Sequence, residues 1–167
     1  EKSSAFLDSR SNVYVTYTLK EGVFMIRAIL VYDEQFALQH MEKILTALGT
    51  VQVIKTFSNT QAVLDEMPQL DFHVVFLDIH MPGLNGLDLA EIIQSWNKDV
   101  YIVFVTAYRD YAIEAFELDS IDYLMKPVMK NRLEKTVSRI QEQLQLNAIL
   151  SDTAQQHPSP ALKINCF

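Results

Sequence analysis

Residues 73–86 read HVVFLDIHMPGLNG. Four apolar residues, Val74, Val75, Phe76 and Leu77, run without interruption into a carboxylate, Asp78. A continuous apolar run of that length, closed by a Pro/Gly turn, reads as a strand buried on both faces. Met81-Pro82-Gly83 and Asn85-Gly86 break the strand and open a helix, for which Asn85 is the expected N-cap. The carboxyl end of such a strand is where an open α/β sheet places its chemistry. An acid held there, ahead of a glycine-bearing loop with free backbone N–H groups, suits a phosphoryl group. Taken alone, Asp78 could equally well end the strand and cap the turn.

Working outward, the pattern is regular from Met25 onward. Strands are expected at Ile26–Val31, Val51–Phe57, Val100–Val105 and Ile121–Met125. Helices are expected at about 35–48, from Ser58 (a capping box with Gln61) to before Pro68, at Gly86–Trp96, at Tyr108–Leu118 and at 130–146. Leu89, Ile93 and Trp96 should share one face of the third helix, and Ala112, Ala115 and Phe116 should face inward from the fourth. Five strands alternating with five helices imply a doubly wound parallel sheet covered on both faces.

The domain is expected to span residues 25–147. Residues 1–24 read as an N-terminal extension or leader in which Val13–Leu19 alternates like a strand. Residues 148–167 read as a polar linker closing on ALKINCF, the first strand of an output domain that continues beyond it.

Composition narrows the function. The 167 residues are 49% hydrophobic and 21% charged, enough for a proper core. Nothing in the sequence resembles a membrane span or a signal peptide. The single cysteine, Cys166, can form no internal disulfide, which suits a reducing cytoplasm. The net charge of −7 falls entirely within residues 25–150, where ten basic side chains face seventeen acidic ones. That body would repel a nucleic-acid backbone, so this segment is expected to bind neither nucleic acid nor membrane. Its clustered carboxylates favour a divalent cation.

The residues that end the strands are the most informative. The first strand ends in Asp33 and Glu34, the third in Asp78, the fourth in Thr106 and the fifth in Lys126. In a doubly wound sheet these ends share one edge. Gathered carboxylates repel unless neutralised, and Mg²⁺ suits an all-oxygen site that keeps several waters. Lys126 is a point charge suited to a phosphoryl oxygen, and a threonine hydroxyl can donate to another. The remaining carboxylate can attack phosphorus to give an aspartyl phosphate.

At this point the motifs match a family. The strand–acid–acid of Val31–Glu34, LDIHMPGLNG at 77–86, VTA at 105–107 and DYLMKP at 122–127 resemble the receiver domain of two-component response regulators. That resemblance implies a flavodoxin-like strand order 2-1-3-4-5. It implies that Asp78 accepts a phosphoryl group from a sensor histidine kinase, making the chain a phosphoacceptor switch rather than a true enzyme. Asp33, Asp78 and the His80 main-chain carbonyl would hold Mg²⁺ (or Mn²⁺), with Glu34 assisting. Thr106, Ala107 and Lys126 would contact the phosphoryl oxygens. Thr106 and Tyr123 would form the switch, and the Lys126–Pro127 peptide would be cis. Residues 111–127 resemble more narrowly the receivers that precede LytTR-type output domains, and ALKINCF resembles the opening strand of a SARP-type effector. Either output would bind DNA. Phosphorylated receivers of this kind dimerise through the fourth helix, fifth strand and fifth helix, so a homodimer is expected.

One position departs from the family pattern: Tyr32 stands where the first of two adjacent acids is usual, which predicts a weakened Mg²⁺ site. His80 and Tyr108 are expected beside the site as modulators of phosphoryl hydrolysis. With no second His or Cys near it in sequence, the His80 imidazole does not read as a metal ligand. Two alternatives remain. One is a pseudo-receiver that docks without being phosphorylated. The other is a phosphohydrolase with an aspartyl nucleophile, for which the chain lacks a second acid two residues after Asp78 and spare sequence for a cap.

Overall fold

A computed structural model describes residues 25–156 and two short strands before them, Ser4–Leu7 and Tyr14–Tyr17, which pair antiparallel. The second of these is the expected Val13–Leu19 strand, shortened. The expected ALKINCF strand and Cys166 lie outside the described residues.

From residue 25 the chain alternates strand and helix. In order these are β1 (Ile26–Val31), α1 (Gln35–Ala47), β2 (Val51–Phe57), α2 (Thr60–Glu66), β3 (Val74–Leu77), α3 (Gly86–Trp96), β4 (Tyr101–Thr106), α4 (Ala112–Glu117), β5 (Asp122–Met125) and α5 (Lys130–Gln156). The five strands form one parallel sheet in the order β2-β1-β3-β4-β5, the flavodoxin-like arrangement expected. The apolar runs are continuous because alternate side chains enter different layers. Ile29, Val31, Val75, Leu77, Ile102 and Phe104 pack in the layer that includes Val63, Leu89 and Ile93. Ala28, Leu30, Val74, Phe76, Val103 and Val105 pack on the other side with Leu38, Met41, Leu45, Leu133 and Ile140.

Several local expectations are corrected. The α2 cap is Asn59, whose Oδ1 accepts from the Ala62 N–H at 2.8 Å, so Ser58 and Gln61 form no capping box. Asn85 does cap α3, accepting from the Asp88 N–H at 2.9 Å. Helix α4 starts at Ala112 rather than Tyr108, because residues 107–111 form a turn anchored on Thr106. Only Ala115 of its three expected inward residues is buried; Phe116 is 82% exposed. Trp96 is half exposed and stacks on Phe72 at the rim of the core. Helix α5 continues to Gln156, well past the expected end at Leu146. No helix of the described residues is long and apolar enough to cross a membrane.

Candidate functional site

The sheet register sets the site. Val31 lies opposite Leu77 and Phe104 opposite Leu77 on the other side, so β1, β3 and β4 finish together. The Asp78 N–H donates to the Val31 carbonyl at 2.9 Å, extending the ladder one residue past the strand. Asp78 is therefore held rigidly and is only 4% exposed. On the far side, the Lys126 N–H donates to the Thr106 carbonyl at 2.9 Å and brings β5 level with β4. The result is that Lys126 Nζ lies 2.5 Å from Asp78 Oδ2, across 48 residues of sequence. The other carboxylate oxygen, Oδ1, accepts from the His80 N–H at 3.2 Å. The Lys126–Pro127 peptide is cis.

The loop after β3 is built around glycines. The Gly86 N–H donates to the Ile79 carbonyl at 2.8 Å. A Cβ on Gly86 would overlap the Asp78 carbonyl oxygen and lie 2.8 Å from Ile79 Cα, so only glycine lets α3 start this close to the acid. Gly83 supplies a left-handed turn, at φ +86°.

The remaining strand-end residues lie at the same edge of the sheet as Asp78. Asp33 and Glu34 are exposed after β1. Thr106 is fully buried and its Oγ1 accepts from the Tyr108 N–H at 3.3 Å. Ala107 and Tyr108 are exposed. The Tyr123 hydroxyl donates to the Tyr108 carbonyl at 2.5 Å, linking β5 to the turn that Thr106 anchors. Burial, with Asp110 and Glu114 next in effect, pushes the Tyr123 phenol above its ordinary pKa, so it stays protonated and able to donate.

Tyr32 is 1% exposed and takes the next place after Val31, alongside Asp78. The Lys126 ammonium lies 5.3 Å from the centroid of its ring. Burial pushes its phenol well above the ordinary value, and the Asp78 carboxylate pushes the same way. Tyr32 also lines a groove of about 510 Å³ with Lys126, Ala107, Phe36 and Met41.

Two features escaped the sequence reading. Tyr111 places its hydroxyl 3.3 Å from His80 Nε2, and the His80 ring lies 4.1 Å from the Tyr108 ring and 5.1 Å from the Tyr111 ring. The spacing predicts a helix from Tyr108 to Leu118, which would include Tyr111, whereas the helix starts at Ala112. The second feature lies below the rim. Buried Asp122 receives both arms of the Arg132 guanidinium at 2.5 and 2.7 Å and the Thr136 hydroxyl at 2.6 Å. The i, i+4 spacing of Arg132 and Thr136 on one helix was the available signal.

Among the described residues no cluster of three or more His, Cys, Asp or Glu side chains could itself hold a metal ion. The carboxylates that follow β1 and β3 are Asp33, Glu34 and Asp78, an all-oxygen set. That donor set fits a hard cation that keeps much of its water.

A doubly wound parallel sheet with a buried, lysine-paired aspartate at its carboxyl edge defines a receiver-type domain. The family model of the response regulator receiver domain matches residues 28–138, and the chain belongs to that family. An uncharacterized response regulatory protein of Vibrio parahaemolyticus is 41% identical over 141 residues, covering 80% of this chain and 58% of that protein. The transcriptional regulatory protein BtsR of Escherichia coli is 35% identical over 71% of this chain and 49% of its own length. The chain thus spans about half to three-fifths of the curated relatives it matches. Among solved structures, the response regulatory domain of mrkE from Klebsiella pneumoniae is similar at TM-score 0.66 and 30% identity, over 71% of this chain and 99% of that one. The isolated receiver of RcsB from Salmonella enterica, in the presence of the phosphomimetic BeF3⁻, matches at TM-score 0.66 and 25% identity, over 71% and 89%.

Proposed function

We propose that this segment accepts a phosphoryl group from a sensor histidine kinase onto Asp78 and so switches a transcriptional output domain in the full-length protein. The observation that carries the reading is the 2.5 Å pairing of the Lys126 ammonium with a buried carboxylate at the sheet edge. In the reaction an Asp78 oxygen forms a bond to phosphorus while the P–N bond to the donor imidazole breaks. The released imidazole nitrogen takes up a proton from solvent. Lys126, already on Oδ2, offsets the charge that builds on the phosphoryl oxygens, and the His80 N–H steadies Oδ1. Asp33, Asp78 and the His80 carbonyl would hold Mg²⁺, or Mn²⁺, with Glu34 nearby. Bound there, the cation would neutralise phosphoryl charge in the transition state. Thr106 and the Ala107 main chain would take two phosphoryl oxygens. Drawing Thr106 toward the phosphoryl group would pull the Tyr108 turn and Tyr123 with it, biasing the α4–β5–α5 face between two states.

That face would then pair with a second copy, and the output domain, of LytTR or SARP type, would bind DNA in the cytoplasm. The relatives named transcriptional regulatory proteins support a transcriptional output. Incubation with acetyl phosphate and Mg²⁺ followed by intact mass measurement tests the acceptor. A single phosphoryl increment, absent in Asp78→Asn, is expected. No increment in the native chain, restored by Tyr32→Asp, would instead make it a pseudo-receiver.

A further inference from the structure

The hydroxyl of Tyr32 is the one buried side-chain N or O atom among the described residues with no hydrogen-bond partner. A buried, unmade phenol hydrogen bond is costly, of order 1–3 kcal/mol, and native chains rarely carry one without a use for it. Its ring packs in the apolar layer with Leu38 and Met41, and a cation lies beside it. Tyr32 follows the strand register into the place beside Asp78, and its ring lies 5.3 Å from the ammonium that Asp78 holds. The phenol ring thus lies beside the Asp78–Lys126 ion pair of the sheet edge, in a wall of the groove that Lys126 and Ala107 also line.

We propose that the Tyr32 hydroxyl is a hydrogen-bond donor to an oxyanion held at Asp78, acting beside the Lys126 ammonium. A phenol at this place is neutral and can only help an anion bind, whereas a carboxylate would repel it unless a cation intervened. Tyr32 therefore trades part of the metal's grip for direct anion binding, and the loaded site leans less on Mg²⁺. The inference rests on the phosphoacceptor reading.

The test is calorimetric titration of the whole chain with beryllofluoride, with and without Mg²⁺, for the native protein and Tyr32→Phe, together with thermal melts of both proteins unloaded. Tyr32→Phe keeps the ring and deletes only the stranded donor. Unloaded, it should melt at a higher temperature than the native chain. Loaded, it should bind beryllofluoride about tenfold more weakly, the worth of one hydrogen bond to a charged acceptor. A merely structural Tyr32 would not give these opposite signs. Tyr32→Asp should bind beryllofluoride with a steeper dependence on Mg²⁺ than the native chain. Beryllofluoride binding to Tyr32→Phe within threefold of native overturns the inference and leaves the acceptor role standing. No binding to the native protein under either condition overturns both.

Discussion

The Tyr111 hydroxyl meets His80 Nε2 at 3.3 Å, joining the loop that follows Asp78 to the residue that precedes α4. The Tyr108 ring closes the same cluster from the other side, and the Tyr108 carbonyl takes the Tyr123 hydroxyl. Two loops from different strands are therefore tied across the mouth of the site by rings rather than by backbone. All of these contacts are solvent-exposed, so each contributes little alone. Tyr111→Phe should cost no more than about 1 kcal/mol in unfolding free energy, through the lost hydrogen bond. Tyr111→Ala should cost about 0.5–1.5 kcal/mol more, as the ring contact goes too. Urea denaturation of the two variants checks the order, and equal losses would mean that the rings contribute nothing.

Gly86 supports a larger effect. Its missing side chain leaves room for the Asp78 carbonyl and Ile79 Cα, both backbone atoms that cannot swing aside. Gly86→Ala must push the start of α3 away from the strand that carries the acid. A loss of about 3 kcal/mol or more is expected, in the range reserved for backbone clashes in a packed core. Denaturant titration measures it, and a change under 1 kcal/mol would show that the loop adapts freely.

Asp122 gives a pH signature. Burial pushes its carboxyl up, but hydrogen bonds from Arg132, Thr136 and the Tyr123 N–H outweigh burial and hold the folded pKa below the unfolded value of 3.8. A group depressed on folding contributes stability that is whole above its unfolded pKa and disappears as pH falls through the folded one. The native chain should hence keep this contribution at pH 5 and above and lose it below about pH 4. Asp122→Asn should show a shallower acid limb in melts run from pH 6 to pH 3. At neutral pH Asp122→Ala should cost about 1–3 kcal/mol. The half-exposed Arg132 can rehydrate, while the buried Thr136 hydroxyl keeps only the longer contact to the Arg132 carbonyl, at 3.1 Å.

The sheet was legible because its strands are rich in apolar residues, β3 wholly so, and each is closed by a polar residue or a turn. Those closing residues mark the edge, and Asp78 and Lys126 meet there. Helix boundaries were less legible. Ser58 and Asn59 are both good caps, and only the backbone geometry selects Asn59. Tyr108–Tyr111 carries helical spacing, yet the turn fixed by Thr106 Oγ1 delays α4 to Ala112. Phe116 fits an inward stripe by spacing alone. Only six residues are helical there, and the sole buried one is Ala115. The His80–Tyr111 contact could not be read because it depends on where two loops cross.

That misread Phe116 bears on assembly. Ile113 and Phe116 lie i, i+3 on α4 and are 72% and 82% exposed, a costly arrangement for a lone domain unless the surface has a partner. Arg132, on α5 across the edge strand β5, is already committed to Asp122 and is poorly placed to serve as an intermolecular charge. If a phosphorylation-dependent dimer forms here, these two apolar side chains should supply most of its affinity. Burying either is worth about 1.5–3 kcal/mol, and a twofold interface buries each of them twice. Phe116→Asp should therefore weaken dimerisation by at least about a hundredfold while leaving the Asp78 phosphoryl increment intact. Light scattering with and without beryllofluoride measures the first, and intact mass the second. A beryllofluoride-induced dimer that survives Phe116→Asp unchanged would place the interface elsewhere on the domain.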